Sequence, residues 1–197
     1  MRISSIRKLA DQGIRSLRKS LWAYWPARHE NDMPERNITA HTAHAFLNAG
    51  WFIYAEPVFP RNSMRHLDAM ALHKSSRTMV AIEANRLYEG AKAKNLSKDA
   101  QRIRNFRLVK KNAEFAPKKR LGLLLAFTWQ PEIRTWWIAG KHTMPPAGNR
   151  GARWNLLGRT LDTSRAICGA GLLTNYPEDR TNTKYRKCWG LYAIYKL

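Results

Sequence analysis

Acidic residues are scarce in this chain. Its 197 residues hold 14 Asp and Glu against 35 Lys and Arg, a formal net charge of +21. So large an excess of one sign repels itself in a compact protein unless a polyanion takes it up, which makes nucleic acid the expected partner. Cysteine is scarcer still. Cys168 and Cys188 stand alone, with no CxxC pair and no clustered histidines, so a structural zinc site is excluded. Two free thiols in a reducing cytoplasm are expected, with a single disulfide as the alternative. No run of eighteen apolar residues is present, so no membrane-spanning helix is expected. Repeats and low-complexity tracts are lacking too. Against these absences stand a hydrophobic fraction of 44% and eight Trp, too much apolar area for a disordered chain.

The opening segment carries Ile3, Ile6, Ala10, Ile14, Leu17 and Leu21 at helical spacing, with Arg2, Arg7, Lys8, Arg15, Arg18 and Lys19 between them. Residues 1–28 are therefore expected as a basic amphipathic helical extension. It would dock on the body and present cations to phosphate, lie on a membrane surface or serve as a targeting peptide, the first being favoured. The polar stretch from Pro26 to Pro34 marks a linker at residues 29–34, and residues 35–197 form one domain. Within it, Glu35–Ala49 reads as a helix stopped by Gly50. Strands are expected over Trp51–Phe59, His66–His73 and Thr78–Ala84, then a helix capped by Ser97 with Asp99 in its first turn. Leu121–Trp129 is a buried strand and Arg134–Ala139, with Trp136 and Trp137, a further one. One of those tryptophans is expected in the core and the other is a candidate platform for stacking on bases, with core burial the favoured role for either. Lys187–Tyr195 closes the sheet, with Trp189, Leu191 and Ala193 on one face and Gly190, Tyr192 and Ile194 on the other.

Because acids are few, their positions carry information. Asp68 falls in the second expected strand and Glu83 at the end of the third, fifteen residues later. As hairpin neighbours the two would share one face, where paired carboxylates repel unless a cation separates them. A hard cation such as Mg²⁺ or Mn²⁺ suits them, with the backbone carbonyl of Ala84 as a third oxygen ligand and water completing the shell. Asn85 projects to the same side as Glu83. The alternative is purely structural: Asp68 paired with Arg65 or Arg86, and Glu83 neutralised by a nearby arginine. His41 and His44 have a spacing that can bind metal, but a solvated or capping role is expected of them.

The segment RHLDAMAL…TMVAIEAN resembles the PD-(D/E)xK nuclease superfamily, the restriction-endonuclease-like fold, and the match in element order runs from Glu35 to about Trp129. The resemblance implies an α/β core of αβββαβ order, a mixed central sheet flanked by helices, and hydrolysis of DNA phosphodiester bonds with Mg²⁺ or Mn²⁺. It places the active site on Asp68, Glu83 and Asn85, the last where the family carries lysine. An amide can orient the attacking water but cannot supply the lysine's charge, so a catalytically degenerate protein that only binds nucleic acid is the alternative. Lys92 and Lys94 are candidates to restore that charge. The resemblance also implies a polar residue on the preceding helix, Glu35, Asn37 or His41 with Glu35 favoured, and a glutamine on the following one, Gln101. Lys98, Arg102, Arg104, Arg107, Lys110 and Lys111 fit a path for the phosphate backbone. Enzymes of the restriction type suggest a possible homodimer.

Binding to duplex DNA should fall steeply with salt, because each phosphate contact releases condensed counterions and adds about −0.9 to the log–log slope. Fluorescence anisotropy across a salt series measures that slope, and a flat response would refute the polyanion expectation.

Overall fold

Two stretches of this chain, Thr78–Arg86 and Lys119–Thr128, are almost wholly buried, and strands of that kind persist only where helices cover both sheet faces. In the computed structural model, which describes residues 2–23, 35–59, 62–108, 115–148, 151–175 and 187–197, they run parallel at the centre of a six-stranded sheet. The elements are α1 (Ile3–Ala23), α2 (Glu35–Asn48), β1 (Phe52–Ala55), β2 (Val58–Phe59), β3 (Asn62–His66), β4 (Ala69–His73) and β5 (Thr78–Arg86). There follow α3 (Gly90–Asn105), β6 (Lys119–Thr128), α4 (Pro131–Ile138), α5 (Ala152–Thr163), β7 (Ile167–Asn175) and β8 (Lys187–Lys196). Strand order is β1-β4-β5-β6-β8-β7, antiparallel except between β5 and β6, while β2 and β3 form a small separate hairpin. The chain is thus α/β with a mixed sheet flanked by helices, as expected.

Side chains alternate across β5 and β8 and divide the core in two. On one face Val80, Ile82, Tyr192 and Ile194 meet Ile6, Ile14 and Leu17 of α1 and Ile38 and Phe46 of α2. On the other, Met79, Ala81, Leu191 and Ala193 meet Leu96 and Ile103 of α3, Trp137 of α4 and Leu157 of α5. The alternation expected of the closing strand is borne out, as is Gly50 in the left-handed region at φ 80°. Both cysteines are free thiols, Cys188 buried and Cys168 partly so.

Several local expectations fail for identifiable reasons. Arg134–Ala139 is not a strand: Pro131 opens α4, and Ile133, Trp136 and Trp137 fall at i, i+3 and i+4, the helical period. Both tryptophans are buried, and their indole N–H groups donate to the carbonyls of Met144 and Tyr192, so neither is a base-stacking platform. Ser97 does not cap a helix. It lies within α3, with its hydroxyl donating to the Ala93 carbonyl one turn back. The expected strand Trp51–Phe59 is broken at Glu56, whose φ of 47° turns the chain into the β2–β3 hairpin.

The opening helix is docked on the body, as the favoured reading of its sequence has it. Its apolar stripe belongs to the same core cluster as the sheet, so it is no detached extension. The contacts are close: a Cβ on Gly13 would come within 2.7 Å of the Thr42 backbone, and one on Gly190 within 2.9 Å of Ile14. Glycine at both places lets α1 seat against α2 and β8. The expected linker at residues 29–34 lies outside the described residues. Among the described residues no helix is long and apolar enough to cross a membrane.

Deleting residues 1–23 is therefore expected to abolish cooperative unfolding, because it strips the cover from β7 and β8. Ile14→Ala should cost about 2–5 kcal/mol in urea denaturation. A truncated chain that keeps the parent's circular dichroism and unfolding midpoint would refute this.

Candidate functional site

Antiparallel pairing of β4 with β5 aligns Ala69 with Ile82, so the next residues outward, Asp68 and Glu83, stand opposite each other at the end of the hairpin. The expected juxtaposition is present. Asp68 lies just before β4 rather than within the strand, and its Oδ2 accepts the Ala84 N–H at 2.7 Å, beyond the last β4–β5 pair. Glu83 lies within β5 under α3 and is 1% exposed. Asn85, two residues on, shares that face.

From above, α3 brings two residues that the sequence did not assign to the acids. Asp99 is 4% exposed and accepts the Asn85 side-chain amide at 3.1 Å. Arg102 donates through Nη2 to Glu83 Oε2 at 3.0 Å and to Asp99 Oδ1 at 2.7 Å, and its Nε stands 2.9 Å from Glu83 Oε1. Glu83 Oε1 is thus held in an ion pair by Arg102, while Asn85 Oδ1 is a buried acceptor with no donor among the described residues. Asp99 and Arg102 lie one turn apart on the buried side of α3, an i, i+3 pair. With the helix started at Ser97, Asp99 read as a first-turn acid and the pairing was hidden. Arg102 is thus bound to acids rather than left free for a phosphate path.

These contacts set the titration of the cluster. Burial, reinforced by the negative charge of Asp68, pushes Glu83 up to about 9. Burial raises Asp99 to about 6 against the lowering influence of Arg102. Asp68 is also raised, by burial, although the Ala84 N–H and Arg102 oppose it. Burial works against the charge on Arg102, but Glu83 and Asp99 together outweigh it and hold its pKa above the ordinary value.

The remaining candidates fall in different places. Glu35, at the start of α2, accepts the Arg86 backbone N–H at 3.2 Å and its Nε at 3.0 Å, with Lys92 Nζ 3.7 Å away. Glu35 and Asp68 line one groove of about 500 Å³. Lys92 therefore pairs with Glu35 rather than with Glu83, while Lys94 is exposed. Gln101 is exposed and about 200° around α3 from Asp99, which turns it away from the acids. Lys98 is exposed. Arg104 donates to the Ser164 hydroxyl and the Thr160 carbonyl, and Arg107 to the Arg104 and Phe106 carbonyls, so both are partly engaged within the protein. Lys110 and Lys111 lie outside the described residues, as do the side chains of 62–65. His41 bonds Ser16 of α1 at 2.9 Å and His44 bonds Asn48 at 3.0 Å, and burial lowers the pKa of His41.

Asp68 and Glu83 offer hard oxygen donors. Among the described residues no three His, Cys, Asp or Glu side chains form a set that could hold a metal ion. Such a donor set fits Mg²⁺ or Mn²⁺, which accept one or two carboxylates and complete their shells with water, better than a closed zinc cage. No family model matches the chain, and no curated protein or solved structure matches it either.

An acid raised in the folded state keeps a proton that the unfolded chain has lost, so its contribution to stability falls as pH rises between the two pKa values. For Glu83 that window runs from 4.5 to about 9. In chelator, the stability of the parent relative to Glu83→Gln should accordingly decline from pH 5 to pH 9 in urea denaturation. A difference that does not change with pH would mean that Glu83 is ionised throughout.

Proposed function

We propose that this protein is a metal-dependent nuclease that hydrolyses DNA phosphodiester bonds at Asp68 and Glu83, with a site of the PD-(D/E)xK type. The observation that carries this is the facing pair Asp68 and Glu83 at the end of the β4–β5 hairpin, with Asn85 following two residues later on the same side. Supporting it, α2, β1, β4, β5, α3 and β6 follow one another as a helix, three antiparallel strands, a helix and a strand parallel to the third. In that comparison β2 and β3 are an insertion. The charge of +21 favours a phosphate-rich substrate.

Asp68, Glu83 and the Ala84 carbonyl are the groups that would hold Mg²⁺ or Mn²⁺. Such an ion, when bound, lowers the pKa of a water and neutralises charge on phosphate. The protein's own residues do the rest. Glu83 presents its carboxylate from a strand paired on both sides and Asp68 from just before β4, where the Ala84 N–H holds it, which keeps their geometry rigid. Asn85 has its amide N–H on Asp99, which orients the side chain beside the acids. Exposed Lys94 and Lys98 on α3 offer point charges to the phosphate backbone.

One observation favours the second reading, a nuclease-fold protein that binds nucleic acid without cutting it. Arg102 already pairs with both Glu83 and Asp99 and offsets part of their charge, which lessens the need for a metal. Incubation with linear, circular and single-stranded DNA and with RNA, with and without Mg²⁺ or Mn²⁺, separates the two. Asp68→Ala and Glu83→Ala should each reduce metal-dependent cleavage by on the order of 100-fold or more while duplex binding persists. Cleavage that survives both substitutions would move the active site elsewhere, and absence of cleavage in the parent under every condition would leave binding alone.

A further inference from the structure

Arg102 is the one basic side chain that touches Glu83 and Asp99 among the described residues, and it does so from a different position than its partners. The side chains of Glu83 and Asp99 are 1% and 5% exposed, whereas that of Arg102 is 43% exposed. The acids are fixed, one by the sheet and the other by α3 and the Asn85 amide. The guanidinium, at the end of a long flexible stem, can leave for solvent without disturbing the core. A divalent ion held by Glu83 would need the carboxylate that Arg102 grips at 2.9 and 3.0 Å. Two cations at such separations in a poorly hydrated site repel strongly.

We propose that Arg102 is a displaceable counter-ion of the acid cluster, competing with a divalent metal for Glu83 and thereby setting the affinity of the site. The inference rests on the proposed metal-dependent function. Arg102 offsets part of the charge of the buried acids while no metal is bound and swings outward as metal enters. The released guanidinium then stands at the mouth of the site, where its fork of donors matches a phosphate. It is a cation supplied from the helix where β5 carries Asn85. Arg102 is in this sense a positioning residue for Glu83.

Calorimetric titration of the chelator-treated full-length protein with MnCl₂ tests this. Arg102→Met removes the competing charge while keeping a flexible apolar stem, and should tighten Mn²⁺ binding about tenfold or more. Arg102→Lys keeps the charge and should restore affinity toward that of the parent, a rescue that a merely structural arginine would not give. Thermal unfolding verifies that each variant is folded, and Arg102→Gln replaces the methionine variant if that one is not. Mn²⁺ affinity equal to or weaker than the parent's in a folded Arg102→Met or Arg102→Gln protein overturns the competition and leaves the nuclease proposal standing. Absence of Mn²⁺ binding in both the parent and these variants overturns the metal-dependent function, and this inference with it.

Discussion

A carboxylate buried to the extent of Glu83 is costly unless charge or a proton answers it, and the chain around β5 is organised by that requirement. Apolar residues precede Glu83 on both faces of the strand, so its position at the emerging end of the sheet is the first at which a polar group can meet α3 rather than be smothered by it. Arg102 provides charge, and a proton provides the alternative, since the folded-state pKa of Glu83 lies near 9. Asp99 accepts from the same guanidinium nitrogen, Nη2, and draws a second donor from Asn85. The result is a polar network enclosed between a sheet edge and one helix. Every member depends on the crossover from β5 through α3 to β6.

The opposite face depends on α1. The parallel β5–β6 pair needs helices on both sides, and the strands added at the far edge, β8 and β7, would expose Tyr192, Ile194 and Leu173 without a cover. Glycines on both surfaces bring the helix within van der Waals contact, and its cations face outward: Arg2, Lys8, Arg15, Arg18 and Lys19 are exposed. The helix joins two tasks, closing the core and contributing to the basic surface. Of the three roles that its sequence allows, docking on the body with cations outward is the one consistent with its burial.

What the sequence made legible was whatever obeyed one strong local period. The β4–β5 hairpin, the end-to-end opposition of Asp68 and Glu83, and the alternating faces of β8 all follow from spacing two, and Gly50 announced the end of α2. Two kinds of feature were hidden. Where a short apolar run fits both periods, as in residues 131–138, aromatic content favours a strand in isolation, and only Pro131 with the i, i+3, i+4 spacing reveals the helix. The partnership of Asp99 and Arg102 with Glu83 crosses from helix to strand over sixteen and nineteen residues, and no local pattern encodes it. The signal available was the scarcity of acids: an Asp in the middle of a strongly basic helix, followed by Arg at i+3, asks for a buried explanation once the helix is known to begin at Gly90.

Charge arithmetic connects the departure at Asn85 to the rest of the site. Asp68, Glu83 and Asp99 carry three negative charges when fully ionised; Arg102 offsets one of them while no metal is bound, and a divalent ion that displaced it would offset two. A lysine at position 85 would sit beside Asp99 and within the same network, bringing the acids and the two basic side chains to minus one and weakening the hold on a dication. The asparagine instead satisfies Asp99 through a neutral donor at 3.1 Å, so it fixes the acid without competing for it electrostatically. On this view the amide and the helix arginine are two parts of one arrangement. The positive charge of this network lies on α3, where it is 43% exposed and free to leave, a property that a side chain rooted in the middle of the sheet would not have.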